Sequence, residues 1–352
     1  MITIITVYKS NNYGSFLQAK VLGDVLSKYD TVQYLNFGQR KWIDLHFLAS
    51  LRRNMTKGFS IRKFVFVINL FVQNFKMWRT LNVVPKKVID DRDICVLGSD
   101  EIWNLSRSNC KNPIFWGCGI NGKKISYAPS INNCSLEEIS KHPITDYLQD
   151  VSYISVRDDY SKEVLSHFTE KEINIALDPT LLMDVEYYEK FAVYKKLPFK
   201  YIALYIFPGG DDSYRKIITN FAKEHDCKIV SIGTYLSWCD VNITAKECAN
   251  PFLYYIDADY VFANTFHGTA FAINFEKQFF SFAISKKIAN LLEQFDLLCR
   301  NMDKQMLSPE LLNNVASNKI DYTIVNEKKK LLRKRSIDFL AKAVEYIRGE
   351  PV

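Results

Sequence analysis

Hydrophobic positions in the first half of the chain follow two alternating spacings. Short runs rich in Ile, Val and Tyr alternate with stretches whose apolar residues recur at helical spacing. The short runs are ITIITVY (2–8), TVQYLNF (31–37), DICVLGS (93–99), KISYAP (124–129), YISVRD (153–158) and INIALDPTLLM (173–183). Strands that alternate with helices predict a parallel sheet with helices on both faces. We therefore predict a doubly wound, Rossmann-like α/β domain over residues 1–190.

The same alternation starts again after VYKKLPFK, a short basic segment with one proline that we interpret as a linker. Strands are predicted for YIALYIF, KIVSIG, DYVFANT and QFFSFAI, and helices for SYRKIITNFAKEHD, residues 250–256 and GTAFAINFE. Apolar residues at helical spacing over 325–349 predict a long terminal helix. Residues 191–352 thus form a second Rossmann-like domain, and we expect the two domains to face each other across a cleft.

One segment, residues 59–81, departs from this pattern. Its apolar run from Phe64 to Val72 is interrupted only by Asn69 and is too short for a bilayer span, which needs roughly 20 apolar residues. Basic residues lie on both sides of the run, namely Arg52, Arg53, Lys57, Arg62, Lys63, Lys76 and Arg79. Two interpretations stay open: a helix in the membrane interface, and a core helix within an insertion over residues 40–87.

Composition and charge narrow the class of protein. The 352 residues are 48% hydrophobic, which is enough for two globular domains. The net charge of +7 is small for a nucleic-acid binder and fits anionic small molecules or an anionic membrane surface. The eight cysteines form no C-x-x-C pair, and the N-terminus has the pattern of a strand and not of a leader peptide. We expect a reduced cytoplasmic protein without a metal site.

Candidate binding residues follow the first predicted strand, in NNYGSFLQAKVL. Asn12, Tyr13, Gly14 and Ser15 open a helix, whose free backbone N–H groups and positive dipole end suit an anion or the polar edge of a sugar. The alternative is an ordinary turn, in which Gly14 meets a requirement of the backbone and Ser15 caps the helix.

Two further predicted strands end in polar residues. In CVLGSDEIWN, the carboxylate of Asp100 and the indole of Trp103, with Asn104 beyond them, are typical of a site that holds a sugar ring and its hydroxyls. The alternative is a helix cap and a core tryptophan. In YISVRDDYS, Arg157 suits two-pronged binding of a carboxylate or phosphate. Its alternative is a salt bridge with one of the two aspartates that follow it.

A single histidine lies at a predicted junction of strand, turn and helix. We predict DYVFA as the strand, NTFHG as the turn and TAFAINF as the helix, so that His267 lies at a helix N-terminus on the edge of the cleft. That position disfavours the imidazolium until an anion binds nearby. A histidine displayed there is a candidate acid–base residue, and the alternative is a structural histidine. The preceding Asp-Ala-Asp resembles a metal-binding motif, but it lies before the strand and not after it.

The ordered set of motifs resembles one family. NNYGSFLQAKVL, VLGSDEIWN, ISYAPSI, ISVRDDYS, ALDPTLL and ANTFHGTAFAINFEKQFFSF, over residues 3–285, together are similar to the polysaccharide pyruvyltransferases. The resemblance implies two domains arranged as in GT-B glycosyltransferases. It also implies transfer of the enolpyruvyl group of phosphoenolpyruvate to a sugar, which leaves a cyclic pyruvate ketal and free phosphate and needs no cofactor and no metal.

The resemblance also assigns residues. His267 matches the catalytic histidine, Arg157 an arginine that binds the anionic groups of the donor, and Asp100 a cleft acid that acts on the acceptor or as a base. Many members carry an arginine two residues before the histidine, where this chain has Thr265. With Thr265, the neighbouring Gly268 and Thr269 are expected on the donor side. A cation for the donor must then come from elsewhere, and the candidates are Lys277, Lys286 and Lys287.

Acceptors in such pathways are often linked to a polyprenyl diphosphate at the inner membrane face, which would give residues 59–81 a function in peripheral membrane contact. Two rival functions stay open at this point. One is a GT-B glycosyltransferase that uses a nucleotide sugar. The other is a non-catalytic scaffold of a polysaccharide assembly complex.

Overall fold

The computed structural model describes residues 1–10, 12–37, 60–86, 89–190, 194–207, 213–244, 250–282, 285–302 and 308–349. Its first sheet has seven strands, all parallel, in the order β3-β2-β1-β4-β5-β6-β7. The strands are β1 (Ile2–Ile5), β2 (Val32–Asn36), β3 (Val83–Pro85), β4 (Ile94–Leu97), β5 (Lys123–Ser126), β6 (Val151–Val156) and β7 (Ile173–Ile175). Every residue of β1 and β4 is buried, as expected where helices cover both faces of a parallel sheet.

We call the part of the molecule built on the seven-stranded sheet the first half, and the part built on the five-stranded sheet the second half. The helices of the first half are short except for two. They are α1 (Tyr13–Leu26), α2 (Ile61–Trp78), α3 (Leu136–Ile139), α4 (Ile144–Gln149), α5 (Asp159–Leu165) and α6 (Val185–Glu189). Three 3₁₀ segments accompany them, at Ser108–Cys110, Pro113–Trp116 and Pro179–Leu181.

Helix α2 lies within the segment for which two interpretations were open. It buries Phe66, Met77 and Trp78 on one side, so it packs partly as a core helix. On the other side its side chains are exposed at Ile61, Val65, Val72 and Phe75. The spacing of four, seven and three residues places these four on one helical face. The flanking residues Arg52, Arg53 and Lys57 lie outside the described residues.

The second sheet has five parallel strands in the order β10-β9-β8-β11-β12. They are β8 (Tyr201–Tyr205), β9 (Lys228–Ile232), β10 (Val241–Ile243), β11 (Tyr260–Ala263) and β12 (Phe279–Ser281). The helices are α7 (Ser213–Glu224), α8 (Phe266–Asn274), α9 (Lys286–Gln294), α10 (Pro309–Ser317) and α11 (Tyr322–Arg348), with 3₁₀ segments at Pro251–Tyr255 and Leu298–Arg300. The predicted pair of doubly wound parallel sheets is confirmed.

The terminal helix α11 joins the two halves. Its Arg348 pairs with Asp30 in the first half, and its Ser336 accepts a hydrogen bond from the backbone of Leu177. Near its other end, Lys329 donates to the carbonyl of Asn274 in α8. One core cluster accordingly extends from the first sheet through α11 to the second sheet.

Each sheet has one point where the order of its strands reverses. In the first sheet this point lies between β1 and β4, and in the second it lies between β8 and β11. Open α/β sheets bind ligands at the carboxyl ends of the strands that flank such a point. Of the helices that the structure describes, not one combines the length and the apolar character that crossing a bilayer requires.

Candidate active site in the cleft between the two halves

A cavity of about 640 Å³ lies where the two reversal points face each other. The first half lines it with residues that include Asn12, Ser15, Asp100, Glu101, Asn104, Arg107 and Asn132. The second half contributes Asn264, Thr265, Phe266, His267, Ser285 and Lys287, among others. A cavity of this size accommodates a small-molecule ligand.

Helix α8 begins at Phe266, before the predicted starts at Gly268 and Thr269, and this places His267 inside its first turn. Thr265 is the N-cap, because its hydroxyl accepts a hydrogen bond from the backbone N–H of Gly268 at 3.0 Å. The helix therefore starts at Phe266. Thr265 caps the helix at the position where the family resemblance led us to expect an arginine.

The imidazole of His267 packs against Gly14 of the opposite half. A Cβ atom added to Gly14 would overlap with Cβ, Cγ and Nδ1 of His267. Gly14 is therefore required for close approach of α1 to the histidine. It adopts an ordinary helical conformation within α1, so the interpretation of a special backbone requirement was wrong.

The start of α1 is capped by side chains. Asn12 is the N-cap: its Oδ1 accepts from the N–H of Gly14 and from the hydroxyl of Tyr205, both at 3.0 Å. The predicted cap, Ser15, instead donates its hydroxyl to Asp100 Oδ2 at 2.9 Å. Tyr13 is buried and does not line the cavity.

A cluster of buried charges lies behind His267. Arg157 Nη1 is 3.0 Å from Asp178 Oδ2 and 3.9 Å from Asp100 Oδ1. The Nε2 atom of His267 lies 3.9 Å from the same Oδ2 of Asp178. Asp100 has a φ of 70°, a left-handed conformation that is uncommon outside glycine and that often marks functional sites. Four ionisable groups thus meet at the ends of β4, β6, β7 and β11.

Arg157 does not line the cavity. It is 3% exposed, and its guanidinium lies 4.0 Å from the centre of the Phe266 ring, which separates it from the cavity. Its partner is Asp178 and not either of the two aspartates that follow it in sequence. The Nε and Nη2 atoms have no hydrogen-bond partner among the described residues. Direct contact of Arg157 with a donor, as the resemblance implied, is therefore not part of this arrangement.

The charges around His267 act on its protonation in opposite directions. Burial lowers the pKa of His267, while Asp178 and Asp100 raise it and Arg157 and Lys287 lower it further, so that the net change is downward. Burial opposes ionisation of Asp178 and Asp100, but the charge of His267 when its ring is protonated and the charge of Arg157 outweigh burial and lower the pKa of both carboxyl groups. At neutral pH the site therefore holds a neutral imidazole between two carboxylates.

A second set of polar contacts ties the halves together at the cavity wall. Glu101 is 6% exposed, and its Oε1 pairs with Lys287 from α9 of the other half. Its Oε2 accepts from Asn104, Arg107 and Asn132, each at 3.1 Å. Burial raises the pKa of Glu101, but Lys287 and Arg107 together lower it below the usual range. Glu101 is therefore an ionised, fully paired carboxylate.

Some predicted site residues lie elsewhere. Trp103 is completely buried, stacks on Trp116 with ring centres 4.4 Å apart and donates its N–H to the carbonyl of Phe115, so its prediction as a sugar platform was wrong. Lys277 lies beyond the carboxyl end of α8, opposite to His267, and donates to the carbonyl of Ile256. Its prediction as a donor-binding cation was also wrong.

Two donor-side predictions and one candidate cation are likewise away from the cavity. Thr269 donates its hydroxyl to the carbonyl of Thr265 and contacts Ser281, and Gly268 packs against Ala263. Lys286 places its ammonium 4.0 Å from the centre of the Tyr160 ring. Among the three lysines considered at the outset, Lys287 is the one that lines the cavity.

Sequence reasoning missed Asp178, Glu101 and Asn132. A signal existed for two of them, since Asp178 belongs to ALDPTLL and Glu101 to GSDEIWN, both of which follow strands. Within the described ranges, no group of three or more His, Cys, Asp or Glu residues is arranged to hold a metal ion.

Solved structures with the same arrangement of two domains define the class of this protein. A glycotransferase of kitacinnamycin is 10% identical, with 97% of this chain and 98% of that chain covered and a TM-score of 0.50. A UDP-N-acetylglucosamine 2-epimerase from Rickettsia bellii is 11% identical, with coverage of 98% and 97% and a TM-score of 0.51. At such low identity the similarity concerns the fold alone, which is of the GT-B type, as predicted.

The family model described as polysaccharide pyruvyl transferase matches residues 12–286. This chain therefore belongs to the polysaccharide pyruvyl transferase family, and it is a transferase of polysaccharide biosynthesis. No curated protein matches its sequence.

Proposed function

We propose that this protein transfers the enolpyruvyl group of phosphoenolpyruvate to two hydroxyls of a sugar, as a step in the biosynthesis of a bacterial surface or capsular polysaccharide. The product is a cyclic pyruvate ketal, and inorganic phosphate is released. The observation that carries the proposal is the position of His267. It is a buried imidazole on the wall of a cavity of suitable size, in a chain that belongs to this family.

The proposed chemistry needs one group that both takes and gives a proton. His267 takes the proton of one sugar hydroxyl and delivers a proton to the methylene carbon of the donor, which becomes the methyl group. The cationic carbon that results is attacked by the hydroxyl oxygen. The C–O bond to phosphate then breaks, the second hydroxyl closes the ring, and its proton leaves with phosphate. An imidazole that is neutral before the substrates bind is in the state required for the first transfer.

Cations that line the cavity are proposed to bind the donor. Among the described residues these are Lys287 and Arg107, which both contact Glu101 and lie on opposite halves. They take the place of the arginine that many relatives carry at the position of Thr265. Arg157 contributes its positive charge from behind Phe266. Holding donor and acceptor together in the cleft accounts for part of the rate.

The acceptor is proposed to bind along the first half. Asp100, Asn12, Ser15 and Asn104 line the cavity there with carboxylate, amide and hydroxyl groups that suit sugar hydroxyls. Asp100 lies close enough to Ser15 to accept its hydroxyl, so a sugar hydroxyl would compete for the same oxygen. We propose that Asp100 orients the attacking hydroxyl towards His267.

The direct test is incubation of the protein with phosphoenolpyruvate and a panel of lipid-linked and aryl glycosides. Mass spectrometry detects the pyruvate ketal, and a phosphate assay gives the rate. His267→Ala should lower the rate about 10²- to 10⁴-fold, and near-normal phosphate release by this variant would contradict the proposal. Nucleotide sugars belong in the same panel, because turnover of one of them without a response to phosphoenolpyruvate would identify a glycosyltransferase. The absence of turnover with any donor would favour a scaffold.

We further propose that α2 brings the protein to a membrane that carries a polyprenyl-diphosphate-linked acceptor. Its exposed face holds Ile61, Val65, Val72 and Phe75, and the exposed Arg62, Lys76 and Arg79 supply positive charge for anionic lipids. Val65→Asp with Phe75→Asp should abolish sedimentation with anionic vesicles. Ile324→Asp is the matched control, because Ile324 is an exposed apolar residue on α11. Unchanged sedimentation of the double variant would contradict membrane contact through α2.

A further inference from the structure

Asp178 is a buried carboxylate whose two oxygens have different surroundings. It follows β7 and caps the 3₁₀ segment Pro179–Leu181, where its Oδ1 accepts from the backbone N–H and the hydroxyl of Thr180 at 3.0 and 2.7 Å. These two bonds hold the carboxylate in one orientation. The other oxygen, Oδ2, therefore points at Arg157 and at His267.

The hydrogen bond from Arg157 leaves Oδ2 of Asp178 able to accept a second one. Nη1 of Arg157 donates to Oδ2 at 3.0 Å, and an oxygen of a carboxylate accepts more than one hydrogen bond. Nε2 of His267 is buried and has no partner among the described residues. It lies 3.9 Å from Oδ2, so a movement of the ring by about 1 Å makes a hydrogen bond. Contacts between catalytic groups are often longer before substrates bind.

We propose that Asp178 is the positioning residue of His267: its Oδ2 holds a proton on Nε2, orients the ring, and leaves Nδ1 as the atom that exchanges protons with the substrates. Arg157 acts on His267 through Asp178. It binds the same oxygen, keeps the carboxylate ionised and limits how strongly Asp178 stabilises the imidazolium.

The position of the ring agrees with this assignment. Cγ and Nδ1 lie beside Gly14 of α1, whose neighbours Asn12 and Ser15 line the cavity together with His267, and Nε2 lies on the side of β7. In the proposed reaction Nδ1 takes the hydroxyl proton and passes a proton to the methylene carbon, while Nε2 keeps its own proton throughout. The transient imidazolium is then paired with Asp178.

Four charged side chains face the imidazole, and their effects are opposed. Asp178 and Asp100 favour the protonated ring, whereas Arg157 and Lys287 disfavour it, and burial lowers the pKa of His267. Removal of the Asp178 charge leaves Arg157 without its closest counter-ion, so the imidazolium becomes harder to form. Conversion of Arg157 to glutamine acts in the opposite direction.

The test is NMR of the protein labelled with ¹³C,¹⁵N-histidine, which needs no substrate. The chain contains five histidines, and His267→Gln assigns the signal of interest. In the wild-type protein above the titration midpoint, we expect Nε2 to carry the proton. In Asp178→Asn we expect the titration midpoint to fall by about one pH unit or more, or protonation to be absent down to the pH of unfolding. In Arg157→Gln we expect the titration midpoint of His267 to rise.

Asp158→Asn is the matched control. Asp158 is also a buried aspartate and caps α5 by accepting from the N–H of Ser161, a cap that asparagine keeps. The hydroxyl of Ser130, which donates to Oδ2, can turn to accept from the new amide, so we expect the fold to be retained. The carboxylate of Asp158 is not among the groups that act on His267, and the midpoint should stay within about 0.3 pH unit of wild type. A wild-type ring protonated on Nδ1, or an equal midpoint in Asp178→Asn and wild type, would overturn the inference.

This inference rests on the proposed function only where it calls His267 the acid–base residue. The NMR measurement tests the link between Asp178 and His267, and the rate of His267→Ala tests the proposed function. Normal phosphate release by His267→Ala removes the proposed function and leaves the link between Asp178 and His267 intact. If the protein does use phosphoenolpyruvate, the acid limb of kcat/KM in Asp178→Asn should move in the same direction as the NMR midpoint.

Discussion

The two halves of the molecule contribute unlike groups to the cleft. The first half supplies Asp100, Arg157 and Asp178 at the ends of strands of one sheet, and they pair mainly with each other. The second half supplies His267 and Lys287, whose partners lie across the cleft. The histidine belongs to one half, and three of the four charges that act on its protonation, those of Asp178, Asp100 and Arg157, belong to the other. The arrangement of charges around His267 therefore depends on how the two halves pack against each other. Four predictions test this dependence, from the largest expected effect to the smallest.

The largest effect is expected where the halves touch at His267. In Gly14→Ala the new methyl overlaps with the imidazole, so the ring or the whole of α1 must move. We expect kcat for phosphate release to fall by about 10²-fold and the free energy of unfolding by about 1–3 kcal/mol. Gly23→Ala is the control in the same helix, because its methyl overlaps with the hydroxyl of Tyr34 and does not reach the cleft. Gly23→Ala should keep the wild-type kcat. Equal kcat values for the wild type, Gly14→Ala and Gly23→Ala would mean that turnover does not depend on the contact between Gly14 and His267.

The pair between Glu101 and Lys287 tests the second contact across the cleft. Glu101→Gln leaves Lys287 and Arg107 without their counter-charge, and we expect the free energy of unfolding to fall by about 2 kcal/mol. Glu137→Gln breaks an exposed pair with Lys141 and should cost less than about 0.5 kcal/mol. Chemical denaturation measures both. An equal loss in the two variants would show that the halves are docked without help from this pair.

Trp103 allows a comparison of cleft residues with core residues, because it belongs to the first half but does not line the cleft. Trp103→Phe removes the hydrogen bond to Phe115 and reduces the stacking on Trp116. The free energy of unfolding should fall by about 1–2 kcal/mol. The KM for the acceptor should not change, and a tenfold rise would restore the prediction of a sugar platform.

The smallest effect is expected at Lys277 in the second half. Lys277→Met should leave the KM for phosphoenolpyruvate unchanged, because this lysine donates to a backbone carbonyl at the far end of α8. Lys287→Met, with the same change of side chain, should raise that KM about tenfold, a loss of about 1.4 kcal/mol in binding. Steady-state kinetics of phosphate release compare the two. A larger effect at Lys277 would contradict the assignment of the cation to α9.

The strands were largely predictable and the shortest elements were not. Ten of the twelve described strands overlap runs identified from hydrophobic spacing, and eight lie wholly within them, because strands buried on both faces are continuously apolar. The two that were missed, β3 and β10, have three residues each and lie outside any longer apolar run, whereas the equally short β7 and β12 lie within such runs. The start of α8 was missed because Thr265 is the N-cap, so the residues predicted as a turn, 266–268, form the first turn of the helix.

Site residues were predictable when their position along the chain alone indicated exposure at the end of a strand. This was true of Asp100 and His267, which the structure brings to one cavity. It failed for Trp103, because the same position is compatible with a side chain that turns into the core. It also failed for Arg157, whose partner Asp178 is 21 residues away in the chain. No local pattern identifies a partner at that separation.

The sequence by itself determined the two doubly wound sheets, since hydrophobic periods set which backbone segments pair and which faces are buried. It also determined the family, through motifs at the ends of strands. The tertiary structure alone decided that Gly14 adjoins His267, that Asp178 lies between Arg157 and the imidazole, and that Lys287 reaches Glu101. Electrostatic interactions depend on distance and burial, and both arise only when the two halves pack against each other.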